Sequence, residues 1–191
     1  MTDPRLHHVQ CLDARGLHRM AYWEHGDPRN PRVLICVHGL SRQGRDFDVL
    51  AAALAGDYRI VCPDVVGRGH SDWLAVPMAY AVPTYVADMV TLLARLDARE
   101  LHFLGTSMGG LIGIGLASLA NSPVQRLVLN DVGPMIEPPA SARIAEYVGR
   151  NMQFPDAQAA AVYLRDVSAG PGPMSDAQWM ALTRPMLRPD P

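Results

Sequence analysis

The sequence predicts an α/β fold in which a mostly parallel sheet carries helices on both faces and is followed by a separate helical segment. Short apolar runs without polar alternation are typical of strands buried on both faces. Segments with apolar residues at helical spacing separate these runs. Such an alternation predicts parallel strands joined by covering helices. The 191 residues, 49% of them hydrophobic, are enough for one domain with a sizeable core.

The predicted elements follow one another along the first two thirds of the chain. A loosely alternating strand at 17–24 comes first, and the apolar strands are expected at 31–39, 58–64, 100–105 and 125–131. Helices are expected at 44–55, 84–97 and 108–120, with Thr84 as the cap of the second. The third helix is apolar nearly all round, which indicates that it is well buried.

The character of the sequence changes near residue 133, where prolines are followed by helical segments without a further strand pattern. Helices are expected from about Ser141, within 156–170 and within 175–184. We therefore predict an α/β core at 1–134 and a separate helical segment at 135–191. The helical segment is rich in methionine and aromatic residues, which suits an adaptable apolar pocket wall, although simple packing explains them equally well. These residues are Met135, Tyr147, Met152, Phe154, Tyr163, Met174, Trp179, Met180 and Met186.

Composition excludes several classes of partner and compartment. The net charge of −2 and the scattered arginines give no basic surface for nucleic acid or an anionic membrane. No signal-peptide pattern opens the sequence, and no 18-residue apolar run occurs. Three cysteines, Cys11, Cys36 and Cys62, indicate buried thiols in a reducing cytoplasm, and their spacing does not indicate a metal site. We expect a cytoplasmic protein without metal or cofactor that acts on a small molecule with an apolar part.

The stretch Gly105-Thr106-Ser107-Met108-Gly109 fits the G-x-S-x-G pattern, between a predicted strand and a predicted helix. A sharp turn there would expose the Ser107 hydroxyl at the end of the strand. The helix N-terminus would direct the N–H of Met108 toward an oxyanion. The pattern therefore predicts that Ser107 is a nucleophile. The alternative is a serine that only caps the following helix.

Two further loops follow predicted strands. His38-Gly39-Leu40 ends the second apolar run, where the N–H of Leu40 could be a second oxyanion donor. His38 is interpreted as a residue that shapes this loop rather than as a base. The loop from Asp64 to Asp72 contains two glycines but lacks the third that a G-x-G-x-x-G phosphate loop needs. His70 is interpreted as an ordinary loop histidine.

Together, these three motifs resemble the α/β-hydrolase superfamily in order and spacing over about residues 15 to 135. The segment 129–134, followed by helices, resembles the end of the sixth strand and the start of the cap in that superfamily. The resemblance therefore implies that 1–134 is the N-terminal portion of the α/β-hydrolase core and that 135–191 is a helical cap. The resemblance implies a serine hydrolase with Ser107 as nucleophile and the N–H groups of Leu40 and Met108 as oxyanion hole. It also implies an acid and a histidine later in the chain. Asp131 matches the position of the acid in some relatives, whereas bracing of the adjacent turn is the alternative.

No histidine follows Ser107, because all seven precede it. We therefore expect a C-terminally truncated fragment with little esterase activity. The substrate class that the resemblance implies is a small ester, thioester or lactone, cleaved through an acyl-enzyme. A serine at this position disfavours the carboxylate-nucleophile chemistry of dehalogenases and epoxide hydrolases. A non-catalytic ligand-binding or interaction fragment with the same fold is the alternative, and the sequence does not predict the oligomeric state.

Overall fold

The computed structural model describes residues 3–133, 152–168 and 172–188. The chain divides into two compact units, Met1–Met135 and Ile136–Pro191. No helix among the described residues is both long and apolar enough to cross a membrane.

The first unit is built on a six-stranded sheet in the order β1-β2-β4-β3-β5-β6. Strands β3, β4, β5 and β6 are parallel, while β1 pairs antiparallel with β2, and β2 antiparallel with β4. The strands are β1 (Arg5–Asp13), β2 (Gly16–His25), β3 (Arg32–Val37), β4 (Arg59–Pro63), β5 (Glu100–Thr106) and β6 (Arg126–Asn130). The predicted mostly parallel sheet is confirmed.

Helices cover both faces of this sheet, as predicted. They are α1 (Asp48–Leu54), which follows a 3-10 turn at Gly44–Phe47, α2 (Val82–Leu93) and α3 (Met108–Ala117). Alternate residues of β3 separate the two faces: Val33 and Ile35 belong to the core that includes buried residues of α2 and α3. Leu34 and Cys36 belong to the smaller core under α1. The two-sided burial explains why β3 reads as a continuous apolar run.

One strand of this unit was missed, and two expectations for the unit are wrong. β1 was not predicted, because its polar residues hide the buried pair Val9 and Cys11. Helix α2 begins at Val82 after Ala81, so Thr84 lies inside the helix and does not cap it. Strand β6 was expected to be buried on both faces, but most of its residues are exposed, since it is the edge strand of the described sheet.

The second unit contains two described helices, α4 (Ala157–Val167) and α5 (Asp176–Thr183), where the sequence predicted them. Asp156 caps α4 by accepting the N–H of Ala159 at 2.8 Å, and Ser175 with Gln178 forms a capping box at α5. The helix predicted from Ser141, together with Met135 and Tyr147, lies outside the described residues.

Candidate active site

Ser107 stands at the sharp turn from β5 into α3. Its φ of 51° and ψ of −116° are strained for a residue with a side chain. Its N–H donates to the carbonyl of Asn130 at 2.9 Å, and its own carbonyl accepts the N–H of Gly110 at 2.8 Å. The half-buried hydroxyl makes no capping hydrogen bond to α3. The backbone of Ser107 is thus fixed on both sides. Its hydroxyl does not cap the helix, so the interpretation of Ser107 as a serine that only caps α3 is wrong.

The glycines on either side of Ser107 are required by close backbone approach. A Cβ added at Gly109 would collide with the carbonyl oxygen of Val37, at the end of β3. A Cβ added at Gly105 would collide with the carbonyl oxygen of Gly109. Both contacts are with main-chain atoms, which cannot rotate away. The glycines therefore allow α3 to begin directly against the strand ends.

The loop after β3 is brought beside Ser107 because β3 and β5 are parallel neighbours, with Val37 opposite Gly105. A Cβ added at Gly39 would lie 3.7 Å from the Cβ of Ser107. The N–H groups of Leu40 and Met108 donate to no acceptor within the described ranges. The structure thus brings Leu40, Ser107 and Met108 to one edge of the sheet and leaves two amide donors without a partner there.

His38 is bonded on both ring nitrogens and buried, with 1% of its surface exposed. Its Nδ1 lies 2.7 Å from the carbonyl oxygen of Gly39, and its Nε2 lies 2.9 Å from the N–H of Val65. The carbonyl requires Nδ1–H as donor and the amide requires Nε2 as acceptor, which fixes a neutral ring. Burial lowers the pKa of His38 to about 3. The interpretation of His38 as a loop-shaping residue is confirmed.

Arg68 joins the two predicted oxyanion residues, a role that the sequence did not indicate. Its Nε donates to the carbonyl of Leu40 at 3.0 Å, and one terminal nitrogen lies 3.7 Å from the Sδ of Met108. The other terminal nitrogen donates to the carbonyl of Val66 at 2.8 Å and to the hydroxyl of Tyr85 at 3.1 Å. No carboxylate among the described residues pairs with this guanidinium. The only hint in the sequence is an arginine between two glycines.

The Asp64–Asp72 loop is organised around a carboxylate. The side chain of Asp64 accepts the N–H of Gly44 at 2.7 Å, the N–H of His70 at 2.9 Å and the indole N–H of Trp23 at 3.3 Å. A Cβ on Gly69, which has a φ of 51°, would collide with this carboxylate. Burial raises the pKa of Asp64, against the lowering effect of these N–H groups. The carboxylate of Asp64 therefore fills the inside of the loop, which agrees with the expectation that this loop does not bind phosphate.

The exposed side chain of His70 packs edge-on to the indole of Trp23, with ring centroids 5.3 Å apart. None of the seven histidines hydrogen bonds to Ser107.

The candidate acid Asp131 directly follows Asn130, whose carbonyl accepts the Ser107 N–H, and has a φ of 56°. Its exposed carboxylate accepts no hydrogen bond from a described residue. The described residues thus hold a serine and two amide donors, but no base against that serine.

Comparison with known proteins gives a consistent assignment of the fold. The family model for the alpha/beta hydrolase fold matches residues 32–164. The 3-hydroxybutyrate-oligomer hydrolase of Cupriavidus necator is 56% identical over 188 residues, which cover 98% of this chain and 64% of the relative. The chain therefore spans less than two thirds of that relative's length.

Two crystal structures resemble the chain closely. A protein from Rickettsia typhi has a TM-score of 0.88 at 31% identity, covering 94% of this chain and 66% of its own. An alpha/beta hydrolase from Novosphingobium aromaticivorans has a TM-score of 0.80 at 36% identity, covering 95% and 63%. With the turn at Ser107 and the strand order described above, these matches show that the chain belongs to the α/β hydrolase fold family.

Proposed function

We propose that this chain carries the nucleophile and the oxyanion hole of a serine hydrolase that cleaves short-chain esters. The observation that carries the proposal is the strained turn at Ser107, whose hydroxyl makes no capping bond to its helix, at the sheet edge where the amides of Leu40 and Met108 have no acceptor among the described residues. Strain of this kind persists where the surrounding structure fixes it, and it clusters at reactive sites. The family match and the hydrolase names of the relatives support the same chemistry.

The reaction we propose has two steps. The Ser107 oxygen attacks the ester carbonyl carbon and loses its proton to a base, while the carbonyl oxygen becomes an oxyanion. The N–H groups of Leu40 and Met108 donate to that oxyanion. The tetrahedral intermediate collapses, the leaving alcohol takes up a proton, and an acyl group remains on Ser107. Water then releases the acid and restores the hydroxyl.

The proton acceptor for this reaction is not among the described residues. His38 is neutral and bonded at both nitrogens, so it has no free lone pair for the Ser107 proton. A serine without a base is a weak nucleophile, although the oxyanion hole alone retains part of the rate enhancement. We therefore infer slow acylation by this chain and a gain from any base that can reach Ser107.

The substrate class we propose is the oligoester of a short hydroxy acid, such as a 3-hydroxybutyrate dimer or trimer. The support is the 56% identity with the Cupriavidus necator protein, which bears the name of that activity. An oligoester of this kind is a small ester with an apolar acyl part, which agrees with the substrate class implied by the sequence motifs. A thioester or lactone is the competing class.

The test is chemical rescue. We expect imidazole in solution to accelerate the release of nitrophenol from a nitrophenyl butyrate ester by the chain, above the protein-free imidazole rate. Ser107→Ala should abolish this increment, and mass spectrometry should find the butyryl group on Ser107. The matched control is Ser118→Ala, at the exposed C-terminal end of the same helix, which should behave as the parent chain.

Two outcomes would contradict the proposal. One is an imidazole-dependent rate that is unchanged in Ser107→Ala. The other is the absence of any acyl group on Ser107 after rescue. For the substrate class, 3-hydroxybutyrate trimer should be cleaved faster under rescue than a butyryl thioester, and the reverse order would favour the thioester class.

A second candidate function is a non-catalytic ligand-binding or interaction module. The observation that favours it is the lack of a base against Ser107 among the described residues. This function predicts saturable binding of the trimer, for example by calorimetry, without acylation of Ser107 at any imidazole concentration.

A further inference from the structure

A cluster of metal-ligating side chains lies on the sheet away from Ser107. Cys11 of β1, His18 of β2 and Asp88 of α2 offer a sulfur, a nitrogen and an oxygen that all lie within 4.8 Å of one another. Cys11 and His18 are directly paired across the antiparallel β1–β2 hairpin. Strands β4 and β3 separate β2 from β5, which leads to Ser107. The serine-hydrolase chemistry proposed above does not use these side chains.

All three side chains are buried: Cys11 is 2% exposed, His18 5% and Asp88 1%. The Nε2 of His18 lies 3.0 Å and 3.1 Å from the two carboxylate oxygens of Asp88. The Nδ1 of His18 is buried and has no hydrogen-bond partner among the described residues. Buried titratable groups are normally paired or metal-bound, because an uncompensated charge in the interior is costly. The convergence of a sulfur, a nitrogen and an oxygen ligand on one buried point is the feature that core packing alone does not explain.

We propose that Cys11, His18 and Asp88 form a binding site for a zinc-type divalent cation that ties the β1–β2 hairpin to α2. Thiolate, imidazole and carboxylate are the protein ligands that Zn²⁺ takes in tetrahedral sites. One thiolate and one carboxylate balance the two positive charges of the ion, so the filled site is neutral in a buried place. The second oxygen of Asp88 or a water completes four-coordination.

Binding of the ion to these three residues releases one proton. Cys11 releases its thiol proton to solvent and forms a metal–sulfur bond, and Asp88 contributes an ionised oxygen. The His18 proton moves from Nε2, where it is donated to Asp88, to Nδ1, and Nε2 then binds the metal. This change of tautomer breaks the His18–Asp88 hydrogen bond and leaves the proton on Nδ1 without an acceptor in the described part of the chain, so the new metal bonds must offset both costs.

The geometry needs only a small adjustment. Metal–ligand bonds of about 2.0–2.3 Å in a tetrahedral site imply ligand atoms about 3.3–3.8 Å apart. Since the ligand atoms all lie within 4.8 Å of one another, no separation must shrink by more than about 1–1.5 Å, which is within the reach of side-chain rotation. β1 is an edge strand, so local opening of the hairpin gives the ion a route into the buried site.

The experiment uses Co²⁺ as an optical probe in a chain whose other thiols are removed. Cys36 and Cys62 are buried thiols close to each other, and they would give a competing signal. In the Cys36→Ala/Cys62→Ala chain, Co²⁺ should bind at one ion per chain, with the near-ultraviolet band of a thiolate ligand. Zn²⁺ should displace it, and Zn²⁺ at about 100 times its Kd should raise Tm by about 5–10 °C.

Two variants in this background test the ligands. Adding Cys11→Ala should abolish the thiolate band, and Asp88→Asn should weaken Co²⁺ binding at least about tenfold. Circular dichroism without metal checks that each chain is folded; where Cys11→Ala is not, Asp88→Asn and His18→Gln decide the question. No thiolate band in the background chain, also after refolding with Co²⁺, would overturn the proposal. So would binding unchanged by Asp88→Asn and His18→Gln. These readouts require no esterase activity, so they are independent of the proposed function.

Discussion

At the scale of single residues, Arg68 links the two residues whose N–H groups we propose as oxyanion donors. Its guanidinium bonds the carbonyl of Leu40 and contacts the sulfur of Met108, and the N–H group of each of these residues donates to no acceptor among the described residues. The rings of Tyr80 and Tyr85 lie 5.9 Å and 5.3 Å from it, at cation–π distance. Arg68 is therefore a positioning residue in the proposed site and need not touch the substrate.

The first prediction concerns Arg68→Met, which keeps the apolar stem and removes the fork of donors. We expect the imidazole-rescued acylation of Ser107 to slow about tenfold, because loss of one oxyanion donor outright costs about 10²–10³ and this change only loosens two. The measurement is the rate of acyl-enzyme formation. The matched control, Arg126→Met, changes an exposed arginine of β6 and should leave that rate unchanged. Equal rates in both variants would contradict the positioning role.

The second prediction compares two glycines. Gly109→Ala places a Cβ against the carbonyl oxygen of Val37, so we expect it to lower the free energy of unfolding by about 3 kcal/mol or more. Gly56→Ala meets nothing within 4 Å, and its φ is outside the left-handed region, so it should change stability by no more than about 1 kcal/mol. Urea unfolding of the two variants checks the difference. Comparable stability of both would show that α3 does not need this close approach.

At the scale of elements, the pattern of apolar residues predicts most of the strands and helices. It does not predict the features that depend on contacts between elements. The strands buried on both faces were predicted to within one or two residues, because burial on both faces requires an unbroken run of apolar residues. β1 escaped since only alternate residues such as Val9 face the core. Thr84 was misplaced as a cap because Pro83 is accepted inside the first turn of a helix. The Cys11–His18–Asp88 cluster was invisible because its members come from three elements.

The third prediction concerns the loop after β3, which His38 braces as a neutral ring. Its pKa falls from 6.5 to about 3 on folding. Between these values the unfolded chain therefore binds more protons than the folded one. Stability carried by this residue is complete above pH 6.5 and is lost as the pH falls. We expect a loss of about 2–3 kcal/mol from this group between pH 6.5 and 4.5.

His38→Asn serves as the comparison, because asparagine does not titrate in this range. Denaturant unfolding at several pH values should show a smaller loss of stability on acidification in the variant than in the parent chain. Other groups, such as Asp64 with its raised pKa, contribute equally to both chains and cancel in the difference. Parallel pH profiles for the two chains would mean that His38 is not held neutral in the folded state.

At the scale of the whole molecule, the proposed site exists because the strands are parallel. The carboxyl ends of β3, β4 and β5 lie at one edge of the sheet, so three loops distant in sequence meet there. The sequence predicted this meeting from its motifs, including Ser107 and Leu40. It did not predict the contacts by which Arg68 links the loops, because two of its four hydrogen-bond partners are the backbone carbonyls of Leu40 and Val66, which any residue type would offer.

The same sheet has a consequence for association, and it concerns β6. No strand pairs with its outer side among the described residues, and Val128 on it is 54% exposed. Exposed apolar edge strands are templates for pairing with another chain. We predict that the average mass measured by light scattering rises with protein concentration, and that Val128→Lys suppresses the rise by placing a charge on the edge.

The matched control is Val49→Lys, which makes the same change at an 80% exposed position on α1, away from the edge, and should not suppress the rise in mass. A constant monomer mass in the parent chain would contradict the prediction, and equal suppression by both variants would assign the association to net charge instead of to β6.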